Sequence, residues 1–213
     1  MSSDTTQLLI LGAGRLAADV ADMVSERPGF ALVGFIEGID KQRCRSDLRG
    51  LPVHWVDDVA RLAETNKVIT AIGDPRRQAT IRQLIEFGFE FAALVHRTSH
   101  IAPSATLGTD AVVAPGVTVA AETRIGSHVY VNRGALIGHH CEVGEYCTVG
   151  PGVNIASGCT IGRSAYLGIG ATIVDGTTLG EGTFVTAGSV VTKSFPDGGR
   201  IAGAPARRIS SAG

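Results

Sequence analysis

An Ile, Leu or Val returns at every sixth position from Ile101, at 107, 113, 119 and onward to Val191, so the chain as far as Pro196 divides into sixteen six-residue units without an insertion. Two positions ahead of each, from Ala105 on, stands a small residue (Ala, Val, Thr, Cys or Ser), and Gly or Ala follows in most units. Accidental periodicity in an apolar chain would slip phase within a few units. Sixteen units in phase predict short strands, each turning an aliphatic and a small side chain inward, stacked as a parallel β-helix.

Residues 8 to 95 follow another pattern. Leu8 to Leu11 is an unbroken apolar run, a buried strand that leads into Gly12-Ala13-Gly14. Leu16 to Val24 has helical apolar spacing, Ala31 to Ile36 reads as a second strand, and Asp57 as the cap of a short helix through Ala63. Lys67 to Ile72 predicts a third strand, Arg76 to Phe87 an amphipathic helix, and Phe91 to Val95 a fourth strand. Strands alternating with helices specify a small parallel α/β sheet. Helical spacing stops and period six begins between His96 and His100, which sets domains at 1–97 and 98–213. After the last unit, Asp197-Gly198-Gly199 turns the chain into a tail from Ile201 to Ile209.

The formal net charge is −1 and only 18% of residues are charged, so no basic footprint argues for nucleic acid. No apolar run approaches the roughly 20 residues that span a bilayer. Met1 to Gln7 is polar and lacks the regions of a signal peptide, which predicts a cytoplasmic protein. Cys141, Cys147 and Cys159 fall at the small inward position and read as reduced core thiols, in keeping with that compartment. The cysteine spacing fits no zinc motif, and no metal is expected.

Gly12-Ala13-Gly14 after a first strand is half of a dinucleotide fingerprint, with Ala17 where the third glycine would stand. Such a turn lets N–H groups at a helix N-terminus approach a phosphate. The first 97 residues hold about one mononucleotide-binding half. A nucleotide or nucleotide sugar is therefore expected there rather than a redox dinucleotide. Glu37, ending the second strand, stands where an acid meets a ribose or base, and Gly73, ending the third, lies on the same carboxyl edge. In the repeats, His139 and His140 are adjacent at an outward corner, and a histidine is the usual general base near neutrality. His54, His96, His100 and His128 read as incidental surface. A metal cluster of His128, His139 and His140 is the rival arrangement, but position 128 falls on a different face.

The segments Leu9-Ile-Leu-Gly-Ala-Gly14, Phe35-Ile-Glu37, Ala71-Ile-Gly73, Leu94 to Ser104, Ile137-Gly-His-His-Cys141 and Ile201-Ala-Gly-Ala-Pro-Ala206 resemble, in order and along most of the chain, the bacterial nucleotide-sugar acetyltransferases of the sialic-acid O-acetyltransferase-like group. The resemblance implies a small Rossmann-like α/β domain followed by a left-handed parallel β-helix. It also implies a homotrimer with acetyl-CoA, the co-substrate, lying between neighbouring prisms. The expected activity is N-acetylation of a UDP-, GDP- or dTDP-linked amino-dideoxy sugar for surface glycans. The alternatives are O-acetylation of a sugar such as sialic acid, a non-catalytic sugar-nucleotide binder, and a metalloenzyme resembling γ-carbonic anhydrase. By position, the family's base falls on His139 and its supporting asparagine on Asn132. Sugar-nucleotide contacts fall on Gly14, Arg15, Leu16, Glu37 and Gly73, with Gly12 in the same turn, and acetyl-CoA contacts on Thr148, Ile169 and Ala187. His140 stands where the family has an acid after its base. Glu122, one coil below, is the candidate carboxylate to reach His140 and replace that acid.

Overall fold

The computed structural model describes residues 5 to 209, so the start of the polar Met1–Gln7 stretch and the last four residues of the second domain lie outside the described residues. The chain divides into two compact units, the first ending at Leu94 and the second beginning at Val95.

The first unit is a five-stranded parallel sheet built from β1 (Thr6–Leu11), β2 (Phe30–Glu37), β3 (Val53–Trp55), β4 (Asn66–Thr70) and β5 (Glu90–Phe91) in the order β3-β2-β1-β4-β5. Leu8 to Leu11 is buried, as the apolar run requires of a central parallel strand. Helix α1 (Arg15–Ser25) follows β1 and buries Ala17, Val20, Ala21, Met23 and Val24. Helix α2 (Gln78–Glu86) is entered through a 3₁₀ turn at Pro75–Arg77. Strand order reverses between β1 and β4, which makes the carboxyl ends of these two strands the topological switch point.

Three expectations change here. Asp57 caps no α-helix: Val56–Asp58 and Ala60–Glu64 are 3₁₀ turns, and its carboxylate accepts from Trp55 Nε1 and Gln83 Nε2. The fourth strand expected at 91–95 is two strands, because Glu90–Phe91 pairs with β4 while Leu94–Val95 joins a wall of the β-helix. Strand β3 and the 3₁₀ turn Lys41–Arg45 carry no periodic signal and were not expected.

The second unit is a left-handed parallel β-helix whose sixteen two-residue strands run from His100–Ile101 to Val190–Val191. They stack into walls of six, five and eight strands, the last including Leu94–Val95 and the tail. From Val113 to Val191 the sixth-position aliphatic is at most 3% exposed. The small residue two positions earlier is buried with it, including Cys141, Cys147 and Cys159. Gly or Ala follows because the next coil's backbone passes there: a Cβ at Gly162 would come 2.5 Å from the carbonyl carbon of Gly180. The tail is ordered, with Arg200–Gly203 parallel to Phe184–Val185 and antiparallel to Ala206–Arg208. Among the described residues, no helix is long and apolar enough to cross a membrane.

Candidate active site

In the first unit the glycine turn, Glu37 and Gly73 come together at the carboxyl ends of β1, β2 and the segment after β4. Gly12 has φ 114°, a conformation L side chains rarely adopt, and a Cβ there would lie 2.9 Å from the Ala71 carbonyl oxygen. Gly14 is the N-cap of α1 and offers no side chain, so the first N–H groups of the helix are open to an anion. Arg15 is exposed beside it, and the Leu16 side chain lies 3.7 Å from where a Gly73 Cβ would stand. A cleft of about 410 Å³ opens beyond the ends of β2 and β4, lined by Gly38, Ile39, Asp74, Arg76 and Thr80 among others. Hydrogen bonding from Arg76 holds the Asp74 carboxyl below its usual range.

Glu37 does not fit its expected role of meeting a ribose. It is 1% exposed, its Oε1 accepts the Ile39 and Asp40 backbone N–H groups (2.7 and 3.2 Å), and its Oε2 accepts from Arg43 Nη1 at 3.1 Å. A carboxylate buried this way has both oxygens taken up by its own loop and by Arg43.

In the second unit His139 and His140 occupy the turn between the six- and five-stranded walls, and both are exposed. Their rings meet edge to face with Nδ1 to Nδ1 at 3.0 Å. His140 has φ 57°, in the left-handed region. Cys141, the next residue, is sealed in the core and donates its thiol to the Ala156 carbonyl, so it is no nucleophile for the corner. Contact with Cys141 and burial together push the Cys159 thiol up.

The other expected residues stand in surroundings of their own. The Glu122 carboxylate makes no hydrogen bond to His140; its residue is anchored instead through its backbone N–H on Ser104 Oγ. Glu122→Gln is accordingly expected to leave the pH–rate profile unmoved, and a downward shift of its acidic limb would restore the relay. Asn132 Oδ1 accepts from the Arg133 N–H at 2.8 Å and makes no bond to His139. Thr148 is only 3% exposed and lies on the eight-stranded wall, away from the histidine corner, whereas Ile169 (55% exposed) and Ala187 are open. His128 is not incidental surface. It is 7% exposed, with Nδ1 3.0 Å from Asp110 Oδ2 and its ring stacked on Tyr146. Among the described residues no three His, Cys, Asp or Glu side chains gather as a metal site.

Residues 122–157 match the family of bacterial transferase hexapeptide repeats (six repeats). The perosamine N-acetyltransferase PerB from Caulobacter crescentus, solved with CoA and GDP-perosamine, is 30% identical over 96% of this chain and 97% of its own, with a TM-score of 0.87. The chain belongs to the hexapeptide-repeat nucleotide-sugar acetyltransferases. Two further members of this fold are similar along their whole length. The acetyltransferase domain of PglB from Neisseria gonorrhoeae, in complex with acetyl coenzyme A, is 26% identical over 96% of this chain and 100% of that one, TM-score 0.86. WeeI from Acinetobacter baumannii is 27% identical over 96% and 100%, TM-score 0.86. No curated protein matches the acetyltransferase by sequence.

Proposed function

We propose that this acetyltransferase moves the acetyl group of acetyl-CoA onto the amino group of a nucleotide-linked amino-dideoxy sugar, in the cytoplasm, with His139 as general base. The observation that carries the reading is the end-to-end likeness to an enzyme described with CoA and GDP-perosamine. That relative has also been solved with a single histidine replaced by asparagine or alanine. The glycine turn at the switch point of the first unit supplies the nucleotide side. Ile169 and Ala187, one coil apart on an open corner, form an apolar strip suited to a pantetheine arm.

Acetyl-CoA supplies an activated thioester. The chain's part is to take a proton from the attacking amine and return one to the departing thiol. His139 does this at Nε2, which requires its Nδ1 to carry the other proton and donate it to His140 Nδ1. His140 thus fixes the tautomer that the acid after the base fixes elsewhere, without adding a negative charge. His139 and the Ile169–Ala187 strip lie on different corners of one prism, so a neighbouring copy completes the groove, as in a trimer.

The test is release of CoA thiol on adding UDP-, GDP- or dTDP-linked 4-amino sugars with acetyl-CoA. Release is expected with at least one, and none with its 4-hydroxy counterpart. Silence with all three would favour the non-catalytic binder; release with the hydroxy sugar would favour O-acetylation.

A further inference from the structure

We infer that Arg43 is the cation that receives the diphosphate of the nucleotide sugar, and that buried Glu37 is the residue that aims it. The inference rests on the reading of the first unit as the nucleotide-sugar site, and adds a binding residue that no resemblance assigned. Arg43 belongs to the 3₁₀ turn Lys41–Arg45 after β2, a stretch of three cationic residues among five that reads as ordinary surface. Its guanidinium does not point to water alone. Nη1 lies 3.4 Å from where a Gly14 Cβ would stand, over the glycine turn. The same Nη1 is fixed by Glu37 Oε2 at 3.1 Å, while Asp40 Oδ2 lies 3.6 Å from Nε. Nη2 has no partner among the described residues.

Glu37 has the geometry of an anchor. Two backbone N–H groups tie one carboxylate oxygen to the loop, and the other oxygen is left for the guanidinium. An arginine held at one edge keeps its remaining N–H donors pre-aimed, which lowers the entropy lost when an anion binds. Gly14, beside this guanidinium, is the N-cap of α1, where a helix has N–H groups to offer an anion. The neighbouring cation Lys41 is drawn away onto the Trp55 ring, 5.4 Å from its centroid.

The experiment measures KM for the active nucleotide sugar, KM for acetyl-CoA, and binding of inorganic pyrophosphate and of the free nucleoside by calorimetry. The variants are Arg43→Ala, Arg43→Lys and Glu37→Gln. Glutamine keeps an oxygen for Ile39 and Asp40 but turns an amide N–H₂ toward Arg43, so it frees the guanidinium while holding the loop. Charge-assisted hydrogen bonds of this kind correspond to roughly tenfold to a hundredfold in affinity. Arg43→Ala and Glu37→Gln are expected to raise the sugar-nucleotide KM and weaken pyrophosphate by that factor, with acetyl-CoA KM and nucleoside affinity unchanged. Arg43→Lys should fall between. An unchanged sugar-nucleotide KM, equal losses of pyrophosphate and nucleoside, or a parent protein that does not bind pyrophosphate would overturn the inference. If no nucleotide sugar is acetylated but pyrophosphate binding still depends on Arg43, the proposed reaction fails and the anion site stands.

Discussion

Replacing His139 with alanine is expected to lower the saturated rate about 10²–10⁴-fold, the usual cost of losing a general base, with acetyl-CoA affinity near that of the parent. The side chain is exposed, and its residue holds the next coil through its backbone carbonyl, which accepts the Gly158 N–H at 2.9 Å. Alanine keeps that bond, so the loss falls on chemistry rather than on folding. The acetyl-CoA contacts proposed at Ile169 and Ala187 lie on another corner and are untouched. Steady-state thiol release at saturating substrates reads the effect. A loss below about threefold would place the base elsewhere.

Ile155→Ala is expected to destabilise the β-helix by about 2–5 kcal/mol, read as a lower midpoint in urea. Ile155 is 1% exposed, stacked between Ile137 below and Ile173 above. The cost belongs to the upper part of that range, because the walls cannot close on the cavity. Coil spacing is set by backbone hydrogen bonds such as Gly138 N–H to Ile155 O at 2.8 Å and Ala156 N–H to Ile173 O at 2.9 Å. A change under about 1 kcal/mol would mean that the prism relaxes laterally.

The β-helix was legible because each coil writes its own burial: an inward aliphatic and an inward small residue are both required every six positions, so the signal repeats sixteen times. The α/β sheet was legible in its central strands, where apolar runs at Leu8–Leu11, Ala31–Ile36 and Lys67–Ile72 mark β1, β2 and β4. Strand β3 is three residues long and lies at the sheet edge, so neither length nor alternation marks it. Arg43 was invisible for a different reason. Its meaning comes from a buried carboxylate six residues earlier and a glycine on another element, and neither relation has a period. The eighteen-residue stacking rule did apply to side chains, though not where it was first used. It joins Asp110 to His128 and Arg124 to Glu142, but not Glu122 to His140. Asp110 and His128 are shielded from water and lie against each other, Asp110 accepting the His128 backbone N–H, whereas Glu122 can stay hydrated at an open corner.

The left-handed backbone at residue 140 has a consequence of its own. The same place one and two coils higher is filled by Gly158 and Gly176, both with φ 67°, and holding a side-chain-bearing residue in that conformation costs on the order of 1 kcal/mol. The histidine corner therefore carries a cost in fold stability that a glycine would not, and the tautomer-fixing role proposed for His140 would account for its being kept. If that role holds, robustness and turnover pull in opposite directions at this one position. Optimisation of the protein for heat tolerance alone would then drift toward glycine at 140 and remove the group proposed to orient His139.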